Sequence, residues 1–255
     1  MGIVNVTPDS FSDGGQFLEA ARAIAHAKRL ADEGADILDV GGESTRPYVG
    51  MKPVVLDEEL ARLSPVLPAT VEIGLPVSID TMKAKVAAWA LEEGAVIVND
   101  VWGLQRDPDM ARVVAEHEAT VVVMHNRETA DPAIDIVAGV KDFFARSLEI
   151  AARAGIAQSR IVLDPGVGFG KTPEQSVTVI ARLDEFRAFG KPILVGLSRK
   201  RFIDSISPTA PDRRLGGSIA GNLLAVQNGA NIVRVHDVGE TVQALRVASA
   251  IRGAT

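Results

Sequence analysis

The sequence predicts a single (β/α)8 barrel over residues 1–255, with its active site at the C-terminal ends of the strands. Three observations lead there. Eight short β-branched runs alternate with longer Ala-, Leu-, Glu- and Arg-rich stretches along 255 residues. The runs are near-continuously apolar, as strands covered on both faces are. Several helical stretches close on a glycine that leads directly into the next run, as αβ loops do. A doubly wound open sheet is the rival, but eight units in a length near ~250 favour the barrel.

The units follow in order. The first run is 2–7, followed by an Ala-rich helix over about 17–33 closed by Gly34. The run 36–40 ends in two glycines, and a helix over about 57–71 carries Pro65 and Pro68 inside it. Run 76–80 precedes a helix over 83–93, and run 95–101 a short helix over 108–118. Run 120–125 leads through a longer loop to a helix over 135–154, closed by Gly155. Run 160–164 is followed by a helix over 174–189, and run 192–197 by a helical region broken around 207–212. Run 231–235 and a helix over 240–251 complete the set. No linker, composition shift or low-complexity segment divides the chain.

Composition narrows the function classes. Hydrophobic residues make up 47% and charged residues 24%, which excludes wholesale disorder. With 27 Lys and Arg against 33 Asp and Glu, the formal charge is −6 and there is no basic run, a poor basis for nucleic-acid binding. A locally positive pocket for an anionic small molecule remains compatible with that total. The absence of cysteine removes disulfides, thiolate metal sites and cysteine nucleophiles, and is compatible with a cytoplasmic protein. No apolar run approaches the ~20 residues of a membrane span. The chain opens inside a strand run, with no basic region ahead of it, so a short leader is expected before Met1 and a secretory signal is not.

In such a barrel the chemistry sits where strands end. The polar residues there are Asn5, Asp39, Asp80, Asn99 with Asp100, His125, Asp164, Ser198 with Arg199 and Lys200, and Arg234 with His236. One Asp or Asn after a strand is often a turn former or helix cap. Eight such ends out of eight point instead to a polar pocket. The set divides by chemistry. Asp80, Asn99, Asp164 and Lys200 suit a flat heterocycle rich in donors and acceptors, or else form a buried ion-pair lattice. Arg46, Arg234 and His236 suit phosphate, because a guanidinium fork matches phosphate oxygens. Arg234 and His236 are two apart and so share one side of an extended segment, and the helix start after Asp237 adds backbone N–H groups.

Gly166–Thr172 looks like a nucleotide loop but is not one: Pro165 and Lys171 stand where the two known patterns need glycine. Its glycines more simply bring backbone close to a ligand or turn the chain. Metal signals are thin. There is no HExxH and no histidine pair at helical spacing, and His26 and His117 read as helix-surface residues. Any metal is expected to be Mg²⁺, held by one or two oxygens plus substrate phosphates.

These residues carry a resemblance. Asn5-Val6-Thr7-Pro8-Asp9-Ser10-Phe11-Ser12-Asp13-Gly14-Gly15 and Gly41-Gly42-Glu43-Ser44-Thr45-Arg46-Pro47 resemble the two long signatures of the dihydropteroate synthase family. Further similar stretches are Ser78–Thr81, Val98–Asp100, Leu163–Gly166 with Gly168–Lys171, Ser198–Lys200 and Arg234–Asp237, in the family's order along nearly the whole chain. The resemblance implies a barrel, usually homodimeric, that joins 6-hydroxymethyl-7,8-dihydropterin pyrophosphate to p-aminobenzoate, releasing pyrophosphate. By that likeness Asp80, Asn99, Asp164 and Lys200 hold the pterin, with Met124 as an apolar contact and Arg234 stacked on it. Asn5, Arg46, Arg234 and His236 bind pyrophosphate, and Asn5 ligates Mg²⁺. Phe11, Thr45, Pro47, Phe169, Ser198 and Lys200 shape the p-aminobenzoate side. The loop 7–15 closes over the reacting centre, and Asp13, Asp80 and Asp164 stand near the positive charge that develops in an SN1-like step.

Two side chains depart from the family pattern. Asn126 follows His125 where a Met is frequent, and Arg201 follows Lys200 where a Ser is frequent. Two other readings compete. A methyltetrahydrofolate:corrinoid methyltransferase shares the barrel and the pterin groups but has no need of Arg46, Arg234 and His236. A non-catalytic pterin-binding paralogue predicts eroded motifs, and here the first two are intact.

Overall fold

The structure, a computed structural model, describes residues 1–6, 15–43 and 54–254. Its strands are β1 (Gly2–Asn5), β2 (Leu38–Gly41), β3 (Val77–Asp80), β4 (Ile97–Asp100), β5 (Thr120–Met124), β6 (Ile161–Asp164), β7 (Leu194–Gly196) and β8 (Ile232–Arg234). All pair in parallel, β1 to β6 in sequence order and β7 with β8. Two bridges join these ladders into a ring: Leu163 with Ile193, and Gly2 with Val235. Backbone bonds accompany them, Leu163 N to Pro192 O at 2.9 Å and Ile3 N to Val235 O at 3.0 Å. The ring makes the expected barrel.

The helices are α1 (Gly15–Asp32), α2 (Leu56–Leu63), α3 (Leu67–Val71), α4 (Ala84–Glu92), α5 (Met110–Glu116), α6 (Ile136–Ala154), α7 (Pro173–Ala181), α8 (Arg201–Ile206), α9 (Leu215–Gln227) and α10 (Val238–Gly253). Local chemistry sets their ends. Asp135 caps α6 through its side chain, which accepts from Val137 N and Ala138 N, and Gly155 ends it in the left-handed region at φ 82. Thr172 and Gln175 form a reciprocal capping box at the start of α7.

Several boundaries differ from the sequence reading, three of them in helices that are split or shortened. The helix expected over 57–71 is two helices, and Pro68 sits in the first turn of the second, where a missing N–H costs little. The helix expected over 174–189 stops at Ala181 and continues as a 3-10 segment over Leu183–Phe189. The short helix expected over 108–118 covers only Met110–Glu116.

Side chains alternate across each strand, and this alternation builds two cores. Outward residues such as Val40, Ile79, Val98, Val123, Leu163 and Val195 pack against the helices. Inward residues Met1, Ile97, Val122, Val162 and Leu194, with Ile37 and Ile232, fill the lower barrel. Two residues further along the same strands stand Asp39, Asn99, Met124, Asp164, Gly196 and Arg234. A polar layer therefore lies on an apolar one, and it faces the C-terminal mouth.

The outer core depends on large side chains in close contact. Phe144 on α6 is fully buried and meets Phe186 and Phe189 edge-on, each at 5.7 Å between ring centres. Phe144→Ala is expected to destabilise the protein by about 3–5 kcal/mol. Urea unfolding should show a lower midpoint with an unchanged slope.

Candidate functional site: the polar layer at the barrel mouth

Strand register decides which polar residues become neighbours. Asp80 pairs with Asn99, Met124 with Asp164, and Gly196 with Arg234. From β8 the half-buried Arg234 side chain crosses to two carboxylates. Its Nε donates to Asp39 Oδ2 at 2.6 Å and its Nη2 to Asp80 Oδ2 at 2.7 Å. Asn99 Nδ2 also donates to Asp39 Oδ2, at 3.2 Å. Asp39 is therefore central, although the sequence reading gave it no role beyond its place at a strand end.

The lattice leaves acceptors over. Asp39 Oδ1, Asp80 Oδ1 and Asn99 Oδ1 are buried with no hydrogen-bond partner among the described residues. Buried oxygens left unpaired are costly, and here they belong to three strands that pair side by side, β2, β3 and β4. Burial raises the Asp80 pKa to about 7, against the pull of Arg234 and with the help of Asp39. Burial alone would weaken the Arg234 cation, but Asp39 and Asp80 outweigh it and raise its pKa. Burial likewise raises Asp164, partly offset by Lys200.

The opposite wall comes from β6 and β7. Asp164 Oδ1 accepts from Gly166 N at 2.7 Å, which turns the chain at once after β6. The loop 166–170 then presents Phe169, and Lys200 Nζ lies 4.5 Å from the centre of that ring. Lys200 Nζ also donates to Val167 O. Gly196 matters here: a Cβ at that position would stand 3.7 Å from Lys200 Nζ, so any larger side chain would contest the same space. Buried Ser198 contacts His236 Nδ1 at 3.0 Å through Oγ, tying β7 to β8.

The structure thus gathers Asp80, Asn99, Met124, Asp164, Phe169, Ser198, Lys200, Arg234 and His236 around the mouth, with Asn5 exposed at the end of β1. It also departs from the division drawn from sequence, since Arg234 is bonded into the heterocycle subset through Asp39 and Asp80. Phe11, Asp13, Thr45, Arg46 and Pro47 lie outside the described residues.

Three strand-end candidates face elsewhere. Asp100 accepts from Trp102 N at 2.9 Å and Leu104 N at 2.6 Å, and so builds the β4–α5 turn. His125 continues the outward row of Val121 and Val123, and packs edge-on against Phe143. Arg199 makes a two-pronged ion pair with Asp237, at 3.1 and 2.5 Å. His26, expected at a helix surface, is half-buried with Nε2 3.2 Å from Ile3 O, whereas His117 is exposed as expected.

A further cluster brackets the stretch that carries Thr45, Arg46 and Pro47. Glu43 Oε1 accepts from Val54 N at 3.0 Å, so one side chain joins the two described ends of that stretch. Lys83 Nζ holds Glu43 and fully buried Glu59, each at 2.5 Å. Glu59 in turn accepts from Thr81 Oγ1 at 2.8 Å, tying the cluster to the end of β3.

Arg234→Met should leave Asp39 and Asp80 buried without their cation, a loss of about 3–5 kcal/mol at pH 8. The raised folded-state pKa of Asp80 means that the native state binds more protons than the unfolded one from about pH 4 upward. Stability then falls as pH rises. Denaturation of the variant should accordingly show part of the loss regained near pH 5. A loss independent of pH would contradict the ionic account.

The chain was compared with known proteins. The pterin binding enzyme family matches residues 1–236. A dihydropteroate synthase of Bacillus subtilis is 44% identical over 98% of this chain and 87% of its own length. Among solved structures, a dihydropteroate synthase from Clostridium difficile in the presence of pteroic acid is 51% identical, with a TM-score of 0.93 over 98% of this chain and 95% of its own. One from Xanthomonas albilineans with 4-aminobenzoic acid is 46% identical, also at TM-score 0.93, covering 99% of this chain and 92% of its own. The layered polar mouth, the family motifs and these likenesses converge, and the chain belongs to the dihydropteroate synthases, transferases of folate biosynthesis within the pterin binding enzyme family.

Proposed function

We propose that the barrel mouth binds 6-hydroxymethyl-7,8-dihydropterin pyrophosphate and transfers its pterin methylene to the amine of p-aminobenzoate, giving 7,8-dihydropteroate and pyrophosphate. The observation that carries the site assignment is the set of unpartnered buried oxygens on Asp39, Asp80 and Asn99. A pterin edge is rich in N–H donors, and such acceptors suit it. Asp80, Asn99, Asp164 and Lys200 hold the ring, with Met124 as an apolar contact. Arg234 lies over it and, with Asn5, Arg46 and His236, takes the diphosphate.

The reaction is dissociative. The methylene C–O bond breaks, pyrophosphate departs with the electron pair, and the cation left behind is delocalised over the pterin. The arylamine nitrogen then forms the new C–N bond and loses a proton. No serine or cysteine nucleophile is required. Cations on the leaving group and carboxylates near the developing charge are, and Arg234 with Asp80 and Asp164 supply both. Asp13 adds a further carboxylate from the loop 7–15, and closing that loop keeps water from the cation. Phe11, Thr45, Pro47, Phe169, Ser198 and Lys200 flank the arylamine.

Mg²⁺ fits a site in which protein supplies few ligands. Among the described residues no three His, Asp or Glu side chains cluster as a metal cage, while the Asn5 amide is exposed at the mouth. Asn5 with diphosphate oxygens would hold the ion, which when bound neutralises charge on the leaving group.

The same reading makes the protein a cytoplasmic homodimer. Among the described residues no helix is long and apolar enough to cross a membrane. Leu224 on α9 and Val247 and Ile251 on α10 are more than half exposed and supply apolar surface for a second copy.

A coupled pyrophosphate assay tests the reaction: release should require pterin pyrophosphate, p-aminobenzoate and Mg²⁺ together. Folded protein without p-aminobenzoate-dependent release would sink the reading. Calorimetry tests the roles. Arg234→Ala should abolish most diphosphate binding, while Asp164→Asn should chiefly weaken the pterin.

A further inference from the structure

Lys171 and His125 are buried and titratable, and the mechanism above uses neither. Lys171 is 8% exposed and forms no ion pair among the described residues. Its ammonium instead finds three lone pairs. Nζ lies 2.6 Å from His125 Nδ1, 2.8 Å from Gly166 O and 3.1 Å from Phe169 O. Three donors therefore meet three acceptors from two neighbouring segments, the end of β5 and the loop after β6. His125 is held neutral: burial first, then the Lys171 charge, lowers its pKa to about 2. Burial lowers Lys171 as well, with Asp164 opposing.

The loop so gripped has little freedom left. Gly166 has φ 65, and a Cβ there would run into the carbonyl oxygen of His125. Phe169 N donates to Gly166 O at 3.0 Å, and Gly166 O is one of the Lys171 acceptors. Lys171 thus faces the two carbonyls that open and close the turn, while one of the two between them, on Val167, accepts from Lys200. The other product of the turn is the Phe169 ring, against which Lys200 rests. On the far side, His125 is braced by Phe143 at 5.0 Å.

We propose that Lys171, braced by His125, is a positioning residue that sets Phe169 and Lys200 for the incoming arylamine. The inference rests on the reading that those two side chains flank p-aminobenzoate. It touches neither Asp39, Asp80 nor Asn99, which stand on other strands, and meets the pterin set only through Lys200 and Asp164, so the arylamine should weaken more than the pterin.

The test is steady-state kinetics with Lys171→Met beside the wild type, with calorimetry of the pterin pyrophosphate. The KM for p-aminobenzoate should rise at least about tenfold, since misplaced groups of this kind cost up to ~10²-fold. The Kd of the pterin substrate should stay within about threefold. A purely structural role would lower the active fraction, and with it kcat, at unchanged KM. That outcome, or equal weakening of both substrates, overturns the proposal. If Lys171→Met does not fold, His125→Leu and His125→Asn decide. Asn keeps an acceptor near the Nδ1 position and should recover most of the KM that Leu loses, whereas equal KM values for the two contradict the bracing role. A wild type without p-aminobenzoate-dependent release removes the underlying reading as well, while an active wild type with an unaltered Lys171→Met removes this inference alone.

Discussion

Arg234 reaches from β8 to Asp39 on β2 and Asp80 on β3, and the mouth of the barrel is organised around that contact. Neither carboxylate could stay buried at little cost without a cation beside it. Together they consume two oxygens and leave two others, with that of Asn99, unpaired. A fully paired lattice would be a core. One short of partners suits the receptor role proposed for it, because the same low dielectric that penalises an open acceptor strengthens the bond to whatever donor fills it.

The contact is possible only because the strands pair in this register and close into a ring. Eight strands place every second side chain inside, and the inner row turns from apolar to polar within the last few residues of the strands. Ile37 gives way to Asp39, Ile97 to Asn99, Val162 to Asp164 and Ile232 to Arg234. The apolar layer fills the barrel from beneath, and the polar layer above faces the mouth. Small residues complete the space, and Gly196 leaves room for Lys200.

Much of this is legible in the sequence. The strand–helix count, the barrel and the polar mouth residues follow from β-branched runs and the polar groups that end them, whereas Met124 and Phe169 enter through the family likeness. What the list of strand ends omits is parity. Asn99 and Asp100 are adjacent, yet one faces the ring and the other builds a turn. Asp39 lies two residues after an inward isoleucine, and the period-two rule alone would have placed it in the pocket. His125, one step out of phase, would have been placed outside. Long-range pairing is harder. Nothing local says that Arg199 is taken by Asp237, or that Arg234 joins two carboxylates on β2 and β3. Lys171 hides for the same reason, since nothing local shows that its three acceptors come from His125, Gly166 and Phe169.

The central claim is that unpaired oxygens of Asp39, Asp80 and Asn99 recognise the donor edge of a pterin. Calorimetric titration of 6-hydroxymethylpterin against its analogue with the 2-amino group replaced by oxygen tests this directly. The account predicts binding of the pterin and at least about a hundredfold weaker binding of the analogue, because a site built to accept from the exocyclic amine rejects a ligand that sets an acceptor oxygen in its place. Equal affinity for the two would contradict it.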